Sequence, residues 1–251
     1  MNTLIRWWRR AFTFCVLKCV YYYTHGRVAS GPFKGLRYPP PFDCGNAVPA
    51  KLLGIYEKEL HGIITGLSSS AFRYVINIGA SEGYYAAGLS LLFPDAEVLA
   101  YEASSAAREN LNTFISFNGL NDRVKVRENC DSKVMSEMGK SINPQETLVI
   151  CDIEGGEVDV LNPEKYPWLR QSKIIFETHD FAHHGSSEQI IARFSASHTA
   201  IRLPTVPRTR KDLPIYLPGF LLWRVLLIVG DQRLHLGNQD FVILTPVSPS
   251  R

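Results

Sequence analysis

Two apolar stretches of the chain end in side chains that could do chemistry. These side chains are Asp152, Glu154, Glu157, Glu177 and His179. The first three fall within six residues of one another, in the segment LVICDIEGGEVDVL. Carboxylates this close repel one another unless a cation, a hydrogen-bonding ligand or a raised pKa relieves the repulsion. The sequence therefore predicts a cluster of acids and a histidine that could bind, orient or deprotonate a substrate.

A glycine-containing segment, VINIGASEGYYAAG, continues from another apolar stretch, 72–78. Gly79 and Gly83 flank the expected turn from strand to helix, and glycine there lets the backbone approach a ligand closely. In the dinucleotide fingerprint G-x-G-x-x-G, Ser81 would replace the second glycine and Tyr84 the third, where tight packing needs a small residue. A nicotinamide-dependent oxidoreductase is thus an alternative that these two residues disfavour, and a purely structural turn is another.

Two further acids follow the next apolar stretches. Glu102 ends the stretch 97–102, and its carboxylate could accept hydrogen bonds from both ribose hydroxyls of a nucleoside. The alternative is a solvated acid at a strand end. Asp131, in the segment ENCDS, could accept a hydrogen bond from an adenine amino group, or it could cap the helix that follows.

A parallel sheet would bring these residues to one edge. Apolar runs alternate with helical patterns along the middle of the chain, at 72–78, 97–102, 124–128, 147–153 and 173–178. Such alternation predicts a mostly parallel sheet with helices on both faces, and ligands bind outside the carboxyl ends of its strands. The runs 199–206 and 240–245 could close the sheet as an antiparallel pair. Upstream, the apolar spacing over 50–67 predicts one helix that ends near Gly66.

The ordered segments VINIGASEGYY, YEAS, CDIEGGE and IIFETHD resemble those of the FkbM-type S-adenosylmethionine-dependent methyltransferases, over about residues 72–180. The pattern of that family runs D-I-G-A-N-x-G-Y, then E, then K-x-D-x-E-G-x-E, then I-E-x-H. This sequence departs from it at Asn77, Ser81, Cys151 and Gly156. The resemblance implies a Rossmann-like class I methyltransferase fold, with a mostly parallel seven-stranded sheet and an antiparallel final strand.

The resemblance also implies a cofactor and an activity. The cofactor is S-adenosylmethionine, and the activity is O-methyl transfer to a hydroxyl of a sugar, a glycan or a secondary metabolite. The cofactor-binding residues implied are Asn77, Gly79, Ala80, Ser81, Gly83, Tyr84, Glu102, Ala103, Asp131 and Asp152. Asn77 stands where the family has an acid, which leaves open how the amino group of the cofactor is held. Asn77 and Ser81 also leave open a binding module without catalysis.

For catalysis we expect His179, Asp152 and Glu154 to act on the acceptor. His179, with an ordinary pKa near 6.5, could take the hydroxyl proton or orient the acceptor. The alternative is a histidine that caps the strand end through the backbone. No metal is required for methyl transfer in principle. A rival arrangement would have a divalent metal held by His179, Asp180, His183 and His184 with Asp152.

Composition narrows the class of protein. The 251 residues are 45% hydrophobic and 20% charged, which excludes disordered, collagen-like and coiled-coil chains. Five cysteines without a C-x-x-C pair indicate a reducing, cytoplasmic setting without a disulfide framework or structural zinc. Residues 1–42 carry seven basic groups and no acid, whereas the rest has a net charge of −4. That distribution does not suit a nucleic-acid enzyme with a basic groove.

The ends of the chain carry two apolar runs. The segment 4–23 is basic and aromatic, and its apolar part is too short to span the ~30 Å of a bilayer core. It could lie on the inner membrane face as an interfacial helix or pack on the protein. We expect an arm and linker over 1–45 and a methyltransferase domain over 46–251. The run 218–230 contains Arg224 and should form a buried or capping helix. The sequence gives no oligomeric state.

Overall fold

The computed structural model describes residues 14–40, 47–214, 225–226 and 239–247. The chain divides into two compact units. One comprises Met1–Thr65 and Val206–Gln232, and the other comprises Gly66–Thr205 and Arg233–Arg251. The predicted arm, 1–45, falls within the first unit. Every candidate site residue belongs to the second.

The second unit contains a seven-stranded sheet. Its strands are β1 (Tyr74–Ile78), β2 (Glu97–Tyr101), β3 (Val124–Arg127), β4 (Thr147–Cys151), β5 (Lys173–Glu177), β6 (His198–Leu203) and β7 (Phe241–Pro246), in the spatial order β3-β2-β1-β4-β5-β7-β6. Strands β1 to β5 pair in parallel, and β7 runs antiparallel to both β5 and β6. The predicted fold class, with its antiparallel final strand, is confirmed.

Helices surround this sheet. Those described in the second unit are α4 (Tyr84–Leu92), α5 (Ser105–Phe117), α6 (Ser132–Ser141), α7 (Glu157–Val160) and α8 (Ser186–Phe194). Four consecutive residues of β1, Val75–Ile78, are buried. Because successive side chains of a strand point to opposite faces, this burial means that both faces of the sheet are covered.

The core on one face of the sheet uses alternate residues of the central strands. Ile76, Val149 and Ile174 belong to one buried cluster that includes residues of α6 and α8. Each such side chain contributes about 1.5–3 kcal/mol to folding when it leaves water. Trp168 joins the cluster from a short 3₁₀ helix, and its Nε1 donates a 2.9 Å hydrogen bond to the Met135 carbonyl. The core therefore fixes the strands whose carboxyl ends carry the candidate residues.

The first unit also contains helices. Residues 14–23 are helical and are labelled α1 here; α2 (Val48–Leu53) and α3 (His61–Gly66) follow. The prediction of one helix over 50–67 is wrong, because Gly54 adopts a φ of 71° and ends α2. A Cβ at Gly54 would lie 2.0 Å from the Ser30 carbonyl oxygen, so the close approach of the two segments requires glycine.

Helix α1 buries Val16 and Val20 and leaves Phe14, Tyr22 and Tyr23 exposed. Within the described ranges, no helix is long and apolar enough to cross a membrane. Trp7, Trp8 and all of 218–230 except Val225 and Leu226 lie outside the described residues. The predicted interfacial helix over 4–23 stays a prediction.

Candidate functional site

The turn after β1 is tied to the end of β2. The amides of Gly79 and Ala80 both donate to the Tyr101 carbonyl, at 2.9 and 2.8 Å. Gly79 has a φ of +83°, and a Cβ there would lie 1.7 Å from the backbone oxygen of Asp152. Only glycine lets the end of β1 pass this close to the end of β4. The turn predicted to bind the cofactor therefore adjoins the acidic segment.

The second glycine of the turn serves packing between helices. Gly83 precedes α4 with a φ of +101°, and a Cβ there would lie 2.5 Å from the Leu111 side chain of α5. Tyr84 and Ala80 are buried beside it. The two glycines therefore serve different contacts: Gly79 allows a close backbone approach, and Gly83 leaves room for the Leu111 side chain.

Glu102 lies at the carboxyl end of β2 and holds the turn. Its Oε2 accepts a 2.8 Å hydrogen bond from the Ser81 amide, and its Oε1 accepts one of the same length from the Ser104 amide. Ser81 has a left-handed φ of 48°, which this bond supports. Each carboxylate oxygen has a further lone pair, and Glu102 is only half-buried. Ribose binding by Glu102 stays a prediction that this placement permits.

Asn77 occupies the position where the family pattern has an acid. Its side chain is 1% exposed, and no residue in the described part of the chain hydrogen-bonds its Oδ1. A buried acceptor without a partner costs about 1–3 kcal/mol. A donor on a bound ligand would recover that free energy, which makes Asn77 suited to a ligand N–H group.

Asp131 caps a helix. Its Oδ1 accepts hydrogen bonds from the amides of Lys133 and Val134 at 2.9 Å, at the start of α6. The capping alternative is thus what the structure shows, and adenine binding by Asp131 stays a prediction. Ala103, the last of the implied cofactor residues, is exposed next to Glu102.

His179 follows β5 and is held by Glu157. The imidazole is fully buried, and its Nδ1 lies 2.8 Å from Oε1 of Glu157, whose side chain is 3% exposed. Glu157 also accepts hydrogen bonds from the amides of Ile153 and Gly155. Because a carboxylate accepts hydrogen bonds, Nδ1 carries a proton, and Nε2 of the neutral ring presents a lone pair.

Nε2 of His179 faces further carboxylates without bonding to them. It lies 3.5 Å from Oε2 of Glu154, 3.6 Å from Oδ1 of Asp152 and 3.9 Å from Oε2 of Glu177. These distances exceed those of N–H···O hydrogen bonds. In the described ranges Nε2 has no hydrogen-bond partner. Ligand atoms of Asp152, Glu154 and His179 all lie within 4.8 Å of one another.

The pKa values in this cluster reflect burial opposed by charge. Burial raises the pKa of Glu157, but hydrogen bonds from His179 and from the Ile153 amide outweigh it, so the net pKa is lowered. Burial lowers the pKa of His179, but the hydrogen bond and charge of Glu157 and the charges of Asp152 and Glu154 outweigh it and raise the net pKa. The cluster is therefore an electrostatic environment that favours a cation.

The metal-binding set predicted from the sequence is not the set that converges. Asp180 instead accepts hydrogen bonds from Ser186 and Ser187 at the start of α8. His183 and His184 are exposed outside the cluster. The reason is that helix α8 begins just after this loop, and the N–H groups of its first turn, which have no acceptor within the helix, attract the Asp180 carboxylate. Of the predicted set, only His179 and Asp152 have ligand atoms close together, and Glu154 lies beside them.

In the sequence, Glu157 is one of several clustered acids with no role of its own, and its part in orienting the His179 ring was missed. The signal that could have identified it is the pairing of β4 with β5, which places the residues that follow these two strands side by side. A carboxylate in one loop then has a natural partner in a histidine of the other.

Comparison with solved structures returns methyltransferases. A putative O-methyltransferase from Klebsiella pneumoniae is 16% identical, with a TM-score of 0.48 over 93% of this chain and 90% of that one. The O-methyltransferase from Bacillus cereus, solved with S-adenosylhomocysteine, is 17% identical, with a TM-score of 0.48 over 93% and 91%. TomG from Streptomyces achromogenes, solved with S-adenosylmethionine, is 15% identical, with a TM-score of 0.48 over 78% and 81%.

No family model matches the sequence, and no curated protein matches it significantly. The fold assignment rests on the order and direction of the strands in this chain.

Proposed function

We propose that the chain is an S-adenosylmethionine-dependent O-methyltransferase of the FkbM type. The cofactor would bind at the turn from Gly79 to Gly83, and the hydroxyl of the acceptor would bind at the cluster of Asp152, Glu154 and His179. The observation that carries this proposal is the placement of Glu102. Its carboxylate is fixed by two backbone amides at the end of β2, beside the glycine turn, with lone pairs left for a vicinal diol.

The residues present fit this cofactor. Ribose hydroxyls would donate to Glu102, since an ionised carboxylate accepts from two donors at once. The buried Oδ1 of Asn77 is an acceptor that suits the amino group of the methionine part. An amide there provides a neutral acceptor where the family has a carboxylate, so we expect binding with fewer charge-assisted hydrogen bonds.

The strand order favours methyl transfer over hydride transfer. A dinucleotide-binding sheet is mostly parallel and has the order 3-2-1-4-5-6. Here the antiparallel β7 lies between β5 and β6. Tyr84, which is buried, also stands where the dinucleotide fingerprint needs glycine. Both features argue against a nicotinamide-dependent oxidoreductase.

The acidic cluster favours an enzyme over a binding module. A fully buried imidazole that faces several carboxylates without bonding to them is unfavourable for stability, and such arrangements concentrate at functional sites. Because Gly79 contacts the backbone of Asp152, this cluster borders the proposed cofactor turn. It is therefore placed where an acceptor would meet the methyl group.

When bound, S-adenosylmethionine supplies an electrophilic methyl group. The chain contributes position, and holding two reactants in line can supply about 7–11 kcal/mol of the barrier. The hydroxyl of the acceptor must also lose its proton as the new bond forms. We assign that activation to the cluster of Asp152, Glu154 and His179.

The acceptor follows from the resemblance alone. We propose that the methyl acceptor is a hydroxyl of a sugar, a glycan or a secondary metabolite. We also propose that the protein is cytoplasmic and that its basic, aromatic segment 4–23 contacts the inner membrane face. Mass spectrometry of cell extracts incubated with the protein and isotope-labelled S-adenosylmethionine would identify the methylated product. The absence of any labelled product would count against catalysis.

The proposal is tested by calorimetry on the full chain. We expect S-adenosylmethionine to bind and NADH not to bind. The Glu102→Gln variant should bind S-adenosylmethionine about 5- to 150-fold more weakly, because a charge-assisted acceptor is worth about 1–3 kcal/mol. Glu109→Gln, an exposed acid of α5, is the matched control and should bind like the wild type. Equal affinity of the two variants, or no binding by the wild type, would overturn the assignment.

A further inference from the structure

We infer that Asp152, Glu154 and His179 form a binding site for one divalent transition-metal cation. Four features support the site: the convergence of the ligand atoms, the unsatisfied nitrogen, the contact with Glu157, and the type of donor atoms. The role given to the cation below rests on the proposed methyltransferase function, but the site itself does not.

The three ligand atoms converge at a spacing that suits one ion. Nε2 of His179 is 3.5 Å from Glu154 Oε2 and 3.6 Å from Asp152 Oδ1. An ion about 2.0–2.2 Å from each ligand holds neighbouring ligand atoms about 2.8–3.6 Å apart, for octahedral to tetrahedral angles. The two distances from the histidine therefore already suit a shared cation, and the ligand atoms of the two acids lie within 4.8 Å of each other.

The nitrogen at the centre of this set lacks a partner. The His179 side chain is fully buried, and within the described ranges its Nε2 makes no hydrogen bond. A protonated Nε2–H would be expected to close on a carboxylate to about 2.7–2.9 Å. The observed Nε2 lies more than half an ångström beyond that distance from both Asp152 and Glu154. A lone pair directed at a cation accounts for the spacing and for the missing bond together.

Glu157 supplies the support that metal-bound histidines have. A histidine ligand usually donates its other N–H to a carboxylate, which fixes the ring and raises its basicity. Here Nδ1 lies 2.8 Å from Glu157, which is itself anchored by the amides of Ile153 and Gly155. The imidazole is therefore oriented with Nε2 toward Asp152 and Glu154 before any ion binds.

The donor atoms select the class of ion. One imidazole nitrogen with two carboxylates suits Mn²⁺, Fe²⁺, Co²⁺ or Zn²⁺. Ca²⁺ would want six to eight oxygen ligands. Three protein ligands leave coordination positions open, and the Glu154 side chain, 77% exposed, marks the side from which solvent or substrate would enter.

In the proposed methyltransferase the acceptor's hydroxyl oxygen would occupy an open coordination position of the cation. The pKa of that hydroxyl would then fall. The O–H proton leaves to solvent, an electron pair of the oxygen forms the bond to the methyl carbon, and the pair of the broken C–S bond stays on sulfur. His179 is then a metal ligand, which replaces the expectation that it takes the proton.

The test uses the full chain, stripped with a chelator, and Mn²⁺ alone as the probe. Electron paramagnetic resonance counts the Mn²⁺ that stays free as it is added, with neither cofactor nor acceptor present. We expect one Mn²⁺ per chain. Asp152→Asn and Glu154→Gln should each weaken binding at least ~10-fold, and Glu157→Gln by about 10- to 100-fold, as supporting residues of metal sites do.

Asp159→Asn, an exposed acid of α7 outside the cluster, is the matched control and should bind like the wild type. Glu154→Gln changes an exposed side chain, so its fold should survive, and circular dichroism checks this. The site is overturned if Mn²⁺ does not bind saturably, or if Asp152→Asn and Glu154→Gln bind it as the control does. Calorimetry with S-adenosylmethionine on the same samples separates the two proposals, since either can fail while the other holds.

Discussion

Replacing Gly79 by alanine should strongly destabilise the second unit. The φ of +83° costs alanine about 1–2 kcal/mol. In addition, the new Cβ would lie 1.7 Å from the Asp152 carbonyl oxygen, and that backbone atom cannot rotate away. The ends of β1 and β4 must then separate. We expect the free energy of unfolding to fall by about 3–5 kcal/mol in total, which corresponds to a fall of about 6–20 °C in the melting temperature of this unit.

Gly119→Ala is the matched control for this prediction. Gly119 has a φ of +69° at the end of α5, but a Cβ there would meet nothing within 4 Å. This variant should lose only the free energy that the positive φ costs alanine, about 1–2 kcal/mol of the free energy of unfolding. Urea unfolding, followed by tryptophan fluorescence and circular dichroism, measures both variants. If Gly79→Ala loses no more free energy of unfolding than Gly119→Ala, the close backbone contact does not exist as described.

Two more predictions concern buried polar groups. Glu59→Gln should lower the free energy of unfolding of the first unit by about 3 kcal/mol in urea, because it removes the carboxylate charge whose Oε2 lies 2.8 Å from Nη2 of the buried Arg208; a loss near zero would contradict this. His198 lies in a buried site where its Nε2 donates to the Ser172 carbonyl, and burial lowers the pKa of His198 despite that bond. The stabilising contribution of the neutral ring should be complete above pH 6.5 and should be lost as the pH falls toward the lowered pKa. Urea unfolding at about pH 7.5 and about pH 5.5 measures how the free energy of unfolding changes with pH, and His198→Asn should reduce that change. An unchanged difference between the two pH values would show that His198 does not titrate on unfolding.

The sequence by itself determined the type of sheet and the two turn positions where glycine is required. Apolar runs that alternate with helical spacing encode a parallel sheet locally, since each strand and helix must bury its own apolar face. The glycines at 79 and 83 also carried a local signal, because other residues rarely adopt their backbone angles. The capping of α6 by Asp131 was also a local alternative that the sequence offered.

Only the tertiary structure decided which charges meet. Asp152 and His179 are 27 positions apart, and they converge because β4 pairs with β5 in a register that aligns Cys151 with Phe176. The same packing buries Glu157 against the imidazole and leaves Asp180 to the start of α8. Local patterns carry backbone preference and burial, but the distance between side chains on different strands depends on register and packing, which no single segment contains.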